Sequence, residues 1–186
     1  MAISKEMGGT HAESHATHGS AEHAHGEPHE PVFVGERRKQ LDELLTRYPT
    51  KMAALLPALW MLQEDRGWVS EAGMAEVAEV LSLTPAYVKG VVTFYTMYHT
   101  HPVGKYFIQV CTTSPCGLCG AEDTLKALLL HTGCGELGAT SPDGRFTVIE
   151  VECLGACGFA TPVMVNEDFI ESVTPETVPA LLERYR

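Results

Sequence analysis

At 186 residues, 45% apolar and 20% charged, the chain can bury one ordinary core, or a small helical domain and a compact second one. A formal net charge of -11 argues against a phosphate-backbone binder, so no nucleic-acid partner is expected. No run approaches the roughly 18 apolar residues that span a bilayer, so no direct membrane insertion is expected.

Residues 1–32 are rich in Gly, Ser, Ala, Glu and His and have almost nothing to bury, which predicts a disordered tail. The tail has no apolar segment of a secretory signal and no Arg of a transit peptide, so a cytosolic location is expected. Six of the nine histidines lie in it: His11, His15, His18, His23, His25 and His29. His-rich tracts can bind metal; a solvated tail with weak incidental affinity is the simpler reading.

Residues 33–100 read as helices. Leu41, Leu44, Leu45 and Tyr48 fall at helical spacing, and Pro49 stops that helix. A second helix runs from Ala53 to Arg66 with Trp60, its start blurred by Pro57. Ser70 caps a third that ends near Leu81. Thr84-Pro85 opens a fourth, carrying V-V-T-F-Y-T-M-Y. This helix is apolar nearly all round, which predicts burial, mostly at a join between domains. Trp60 and Trp68 are expected in the core.

From residue 101 the period changes. Lys105–Val110 reads as a strand, Ala121–Leu130 as a helix, and Phe146–Glu152 as a strand after a turn at Pro142-Asp143-Gly144. Pro162–Asn166 and Phe169–Val173 read as short strands, and Thr174-Pro175 caps a last helix ending near Tyr185. The order is strand, helix, three strands, helix, with no internal repeat: a small α/β sandwich behind a helical bundle.

Two cysteine pairs follow strands in small-residue loops: Cys111 and Cys116 in V-C-T-T-S-P-C, Cys153 and Cys157 in V-E-C-L-G-A-C-G. In a reducing compartment such clusters more often bind metal or do redox work than form disulfides. If the strands are neighbours, both loops leave the sheet at one edge, where α/β sites usually lie. Four thiolates suit zinc, copper(I) or an iron–sulfur cluster. By spacing alone, structural zinc and [2Fe–2S] are served equally well. Pro115, Gly117, Gly120, Gly155 and Gly158 let backbone N–H groups approach the sulfurs and raise a cluster's potential. Leu154 and Val110 are candidates to shield the centre, and Glu150 and Glu152 to lower its potential, although each also reads as core or solvated strand face.

Two other arrangements stand beside this one. Cys119 makes C-x4-C-x2-C, the plant-type ferredoxin spacing, which leaves one of Cys153 and Cys157 idle. Alternatively, C-G-L-C at Cys116–Cys119 before a helix, with Thr161-Pro162 before a strand, reads as a thioredoxin-like dithiol and its cis-proline. That leaves Cys111, Cys153 and Cys157 without a role.

V-V-T-F-Y-T-M-Y, P-V-G-K-Y-F-I-Q-V-C-T-T-S-P-C, P-D-G-R-F-T-V-I-E-V-E-C-L-G-A-C-G and T-P-E-T-V-P-A-L-L-E-R-Y together resemble one family over roughly residues 36–186. It is the small thioredoxin-like [2Fe–2S] subunit of respiratory complex I, the bacterial NADH:quinone oxidoreductase. The same subunit type occurs in NAD-linked hydrogenases and formate dehydrogenases, the alternative settings. The resemblance implies an α+β chain, a helical bundle at 33–100 followed by a thioredoxin-like α/β [2Fe–2S] ferredoxin domain at 101–186. It implies one [2Fe–2S] cluster on Cys111, Cys116, Cys153 and Cys157, with no catalytic residue on this chain. FMN and NADH would sit on a partner flavoprotein subunit, beside a further iron–sulfur subunit. The implied role is an oxidoreductase subunit that binds no substrate itself. It would hold single electrons next to the flavin, peripheral on the cytoplasmic face of the inner membrane.

The chain departs from the family at three places. Cys119 stands where the family usually has another residue. Cys134 falls in a variable loop and reads as a free thiol. After Cys157 the family usually reads x-x-A-P, and this chain has Gly158-Phe159-Ala160-Thr161-Pro162.

Overall fold

Three hydroxyl side chains start the helical half. Thr50 Oγ1 accepts from the Ala53 N–H at 3.3 Å, Ser70 Oγ from Gly73 at 3.0 Å and Thr84 Oγ1 from Tyr87 at 3.3 Å. The Ala53 and Tyr87 N–H groups are shared with the Thr50 and Thr84 carbonyls at 3.1 and 3.0 Å. Such caps contribute about 1 kcal/mol each by satisfying first-turn donors. In the computed structural model, which describes residues 30–185, they precede a 3-10 turn and two of four helices. The helices are α1 (Gly35–Leu45), α2 (Leu55–Arg66), α3 (Glu71–Leu81) and α4 (Pro85–Phe94), with the 3-10 turn Lys51–Ala54 ahead of α2. Pro57 lies in the first turn of α2, where its missing N–H costs nothing.

Leu41, Leu59, Leu62, Val77, Val88 and Val92 are fully buried at the centre of this half. Gln63 ties the exit of α4 back to α2: its side chain donates to Met97 O at 2.9 Å and accepts from His99 N at 2.7 Å. Tyr98 Oη donates to Leu56 O at 2.8 Å. Val32 and Phe33 are also buried here, and their N–H groups donate to the Glu76 carboxylate at 3.1 and 2.7 Å. Val32, expected in the tail, is therefore anchored to this core. The six tail histidines lie outside the described residues.

Two expectations fail in this half. The run V-V-T-F-Y-T-M-Y is not one buried helix. α4 ends at Phe94, Tyr95 is extended, and only Val92 and Tyr98 are buried. Phe94 is 76% exposed, with Tyr95 and Met97 also exposed, because only one side of α4 meets the other helices. Trp60 is exposed beside Leu56, Pro57, Met97 and Tyr98, and Trp68 is only partly buried, so neither belongs to the core.

The second half is built on β1 (Tyr106–Cys111), α5 (Ser114–Leu118), α6 (Ala121–Thr132), β2 (Phe146–Val151), β3 (Val163–Val165), β4 (Asp168–Ile170) and α7 (Val178–Glu183). The sheet order is β2-β1-β3-β4. β1 pairs parallel with β2, from Tyr106 opposite Phe146 to Cys111 opposite Val151, and antiparallel with β3. A parallel pair needs a crossover, which α6 supplies. Ile108, Val110, Leu128, Val148, Val163 and Val178 join α6 and α7 to the sheet in a second core. The expected turn before β2 is present: Gly144 has φ 72° and donates to Ser141 O at 2.8 Å. α7 starts later than expected, at Val178. Thr174–Thr177 makes a separate turn, in which the Thr177 hydroxyl bonds Thr174 O at 3.0 Å. α5 was not foreseen; its five residues are too few for a periodic signal.

No single helix among the described residues is long and apolar enough to cross a membrane; α3 and α4 together are, but are bent by 119°.

Gly104 enters the sheet with its N–H on Thr147 Oγ1 at 2.8 Å. A Cβ there would lie 2.7–2.9 Å from backbone atoms of Arg145 and Phe146, which cannot move without breaking β1–β2 pairing. Gly104→Ala should cost about 1–3 kcal/mol; an unchanged denaturation midpoint would contradict this packing. His99 packs on Phe107 at 4.3 Å between ring centroids, and burial first, then His101, lowers its pKa from the ordinary 6.5. The fold therefore favours neutral His99. Its contribution to stability is present above the unfolded value and is lost as pH falls below it. An NMR titration should find the His99 midpoint below 6.5, and a midpoint above it would refute the buried contact.

Candidate metal centre

The parallel register sets the geometry. Cys111 ends β1 opposite Val151, which ends β2, so the two following loops leave the same edge of the sheet. From β1 the chain turns into α5, with Pro115 in its first turn, and this short helix returns Cys116 to Cys111. Their Sγ atoms are 3.4 Å apart, and both residues are buried. Ala121, Leu154 and Ala160 pack around them.

From β2 the chain reaches Cys153 two residues past the strand. Gly155, at φ 75°, turns its N–H onto Cys153 Sγ at 3.3 Å. Cys157 opens a 3-10 turn, Cys157–Phe159. Cys153 and Cys157 are exposed, unlike the first pair. Among the described residues no three His, Cys, Asp or Glu side chains converge on one point as metal ligands. The first pair is assembled, and the second is placed at the same edge without closing on it.

The two buried thiols differ in acidity. Burial raises the pKa of Cys111, but N–H groups of Leu154 and Thr113 and the Cys116 thiol outweigh it, so the net shift is downward. Burial first, then Cys111, pushes Cys116 up to about 11, with smaller contributions from Cys157 and Cys119. A low and a high thiol in contact is what one shared proton produces. The Cys111 thiol also lies 3.7 Å from Glu152 O and 3.9 Å from Thr113 Oγ1.

Several expectations are sharpened or corrected. Leu154 does cover the buried pair, but Val110 faces the sheet–helix core. Glu150 and Glu152 are solvated. Gly155 does approach a sulfur. The N–H groups of Gly117 and Gly120 instead bond Thr113 O and Gly117 O, because the α5 turn consumes them. Cys119 caps α5 and is exposed. Cys134 is fully buried with its thiol on Phe146 O at 3.3 Å, a core thiol away from the pairs. The dithiol alternative expected a cis bond before Pro162; among the described residues the cis bond is Ala160–Thr161. Sequence reasoning missed Thr113, whose N–H and hydroxyl both reach Cys111, and the buried Thr161 hydroxyl, which has no hydrogen-bond partner among the described residues. Thr113, directly before Ser-Pro at a turn, was the available signal.

Comparison with known proteins gives a consistent result. The profile of the thioredoxin-like [2Fe–2S] ferredoxin family matches residues 41–186. The chain is 37% identical to an NADH-quinone oxidoreductase subunit of Rhizobium meliloti over 80% of its own length and 88% of that protein's. It is 38% identical to NADH-quinone oxidoreductase subunit 2 of Thermus thermophilus, over 83% and 86%. It is 37% identical to the mitochondrial NADH dehydrogenase [ubiquinone] flavoprotein 2 of Dictyostelium discoideum, over 83% of this chain; it spans only 63% of that protein. Among solved structures, a chain of an NAD+-reducing [NiFe]-hydrogenase matches with TM-score 0.60 and 22% identity, over 71% of this chain and 22% of that one, a likeness of fold. With its cysteine pairs at one sheet edge and this extent of identity to NADH-quinone oxidoreductase subunits, the chain belongs to the thioredoxin-like [2Fe–2S] ferredoxin family.

Proposed function

We propose that this chain is the electron-transfer subunit of an NADH:quinone oxidoreductase, holding one [2Fe–2S] cluster on Cys111, Cys116, Cys153 and Cys157. It exchanges single electrons with FMN on an NADH-binding flavoprotein subunit and contacts a further iron–sulfur subunit. Its two working units are the helical 33–100 and the cluster-holding 101–186, and it works peripherally on the cytoplasmic face of the inner membrane. It binds no substrate itself.

The observation that carries this reading is the Cys111–Cys116 contact at 3.4 Å. Two thiolates each about 2.3 Å from a tetrahedral ion lie about 3.8 Å apart, so a few tenths of an ångström separate the buried pair from ligand spacing. The donor set is soft and all-sulfur, and N–H groups of Leu154, Thr113 and Gly155 already face sulfur. The residues fit the group. When bound, such a cluster takes up and releases one electron at a time. Leu154 and Ala160 keep water from the inner pair, and the N–H donors favour the more negative state. No general base is required of this chain, and among the described residues no carboxylate is buried in the site.

Relatives at 37–38% identity over most of the chain are subunits of NADH dehydrogenases, whereas the hydrogenase match is one of fold. That balance favours the respiratory setting over a hydrogenase module. The exposed Phe94, Tyr95, Met97 and Trp60 suit a subunit that is covered in its complex.

Anaerobically purified, dithionite-reduced protein should carry two irons and two sulfides per chain, with an S = 1/2 EPR signal. Cys111→Ser and Cys157→Ser should lose the normal signal, while Cys134→Ser and Cys119→Ser keep it. An intact signal in both ligand variants would sink the assignment, and loss in Cys119→Ser would revive the plant-type arrangement. Phe94→Glu, at a largely exposed position, should leave the melting temperature within a degree or two of wild type and weaken co-purification with the flavoprotein. Undiminished co-purification would remove this face from the interface.

A further inference from the structure

Among the described residues, Thr161 Oγ1 is the buried side-chain oxygen or nitrogen with no hydrogen-bond partner. Thr161 is 1% exposed. A buried hydroxyl left unpaired costs about 1–3 kcal/mol, so such atoms ordinarily find a partner when the protein is complete.

Its place narrows what that partner is. Ala160, immediately before it, packs against Cys111 and Cys116. Pro162, immediately after it, accepts the Cys111 N–H at 3.3 Å. Its carbonyl is committed, since Thr161 O accepts from Val173 N at 2.9 Å, and the hydroxyl is left without a partner among the described residues. Thr161 therefore sits in the strand-entry segment that backs the buried cysteine pair. The other hydroxyl close by, Thr113 Oγ1, already reaches Cys111 Sγ, at 3.9 Å.

Resting on the cluster reading above, we propose that Thr161 is a positioning residue for the redox centre, its hydroxyl donating a hydrogen bond to a sulfur of the cysteine-held cluster. A donor to sulfur stabilises the reduced, more negative state over the oxidised one and so raises the reduction potential. This chain thus carries a side-chain donor to its cluster in addition to backbone N–H groups, and its potential is set partly by one hydroxyl.

The test compares wild type, Thr161→Val and Thr161→Ser as purified, cluster-loaded chains in EPR-monitored redox titrations. Valine keeps the shape and removes the hydroxyl; serine keeps the hydroxyl. The expected result is that Thr161→Val shifts the oxidised-to-reduced ratio at fixed potential about tenfold toward oxidised, about 59 mV more negative for one electron. Thr161→Ser should stay close to wild type. In the cluster-free chain, where the hydroxyl has no sulfur acceptor, Thr161→Val should melt at or above the wild-type temperature. Equal potentials for wild type and Thr161→Val overturn the proposal, and a Thr161→Val loss of stability confined to the cluster-free chain overturns it in favour of a buried water. If Thr161→Val does not fold, Thr161→Ala in the same titration decides: an unchanged potential refutes the role and a lowered one supports it. Iron and sulfide contents of the wild type are read separately, so absence of a cluster counts against the function itself and is not confused with an unshifted potential.

Discussion

Parallel pairing of β1 with β2 is the constraint on which the site depends. It puts Cys111 level with Val151, so that the Cys111–Cys116 and Cys153–Cys157 loops start side by side. A parallel pair is joined only through a crossover, and α6 is that crossover, packed by Leu125 and Leu128 on the sheet. The close approach of Gly104 to the backbone of Arg145 and Phe146 secures the start of the pairing, and the site lies at its other end. Disturbing either end moves one cysteine loop relative to the other.

The two pairs differ in their surroundings. Cys111 and Cys116 are buried and preset, one on a strand end and one on a single helical turn, so ordering entropy is already spent there. Cys153 and Cys157 sit on an exposed loop shaped by the left-handed Gly155. On the proposed reading, a rigid inner pair with an outer loop would let a centre be inserted from the solvent side and then held. Exposed Leu118 at the end of α5 and Phe159 two residues past Cys157 add apolar surface that a partner can cover. The helical half contributes a second such surface at the end of α4, where Gln63 and Tyr98 hold the backbone while Phe94 and Met97 point outward.

Elements with strong local signals were legible in the chain. Ser70 and Thr84 announced α3 and α4 through caps, Pro142-Asp143-Gly144 announced the turn, and β-branched residues announced β2. The errors came where tertiary context decides. An apolar run such as V-V-T-F-Y-T-M-Y does not say which side chains another helix covers, and here Phe94, Tyr95 and Met97 are exposed. Five residues of α5 carry no readable period, yet they bring Cys116 to Cys111.

By itself the sequence determined the residue chemistry: thiols in pairs after strands, glycines and prolines in their loops, caps before helices, and the family to which those motifs belong. These are properties of neighbours along the chain, so they survive without coordinates. Only the tertiary structure decided which thiols touch, which N–H groups are free for sulfur rather than consumed by α5, and that the Thr161 hydroxyl is buried without a partner among the described residues. Those depend on strand register and on packing between segments far apart in the chain, such as Cys111 and Glu152, and no local pattern encodes them.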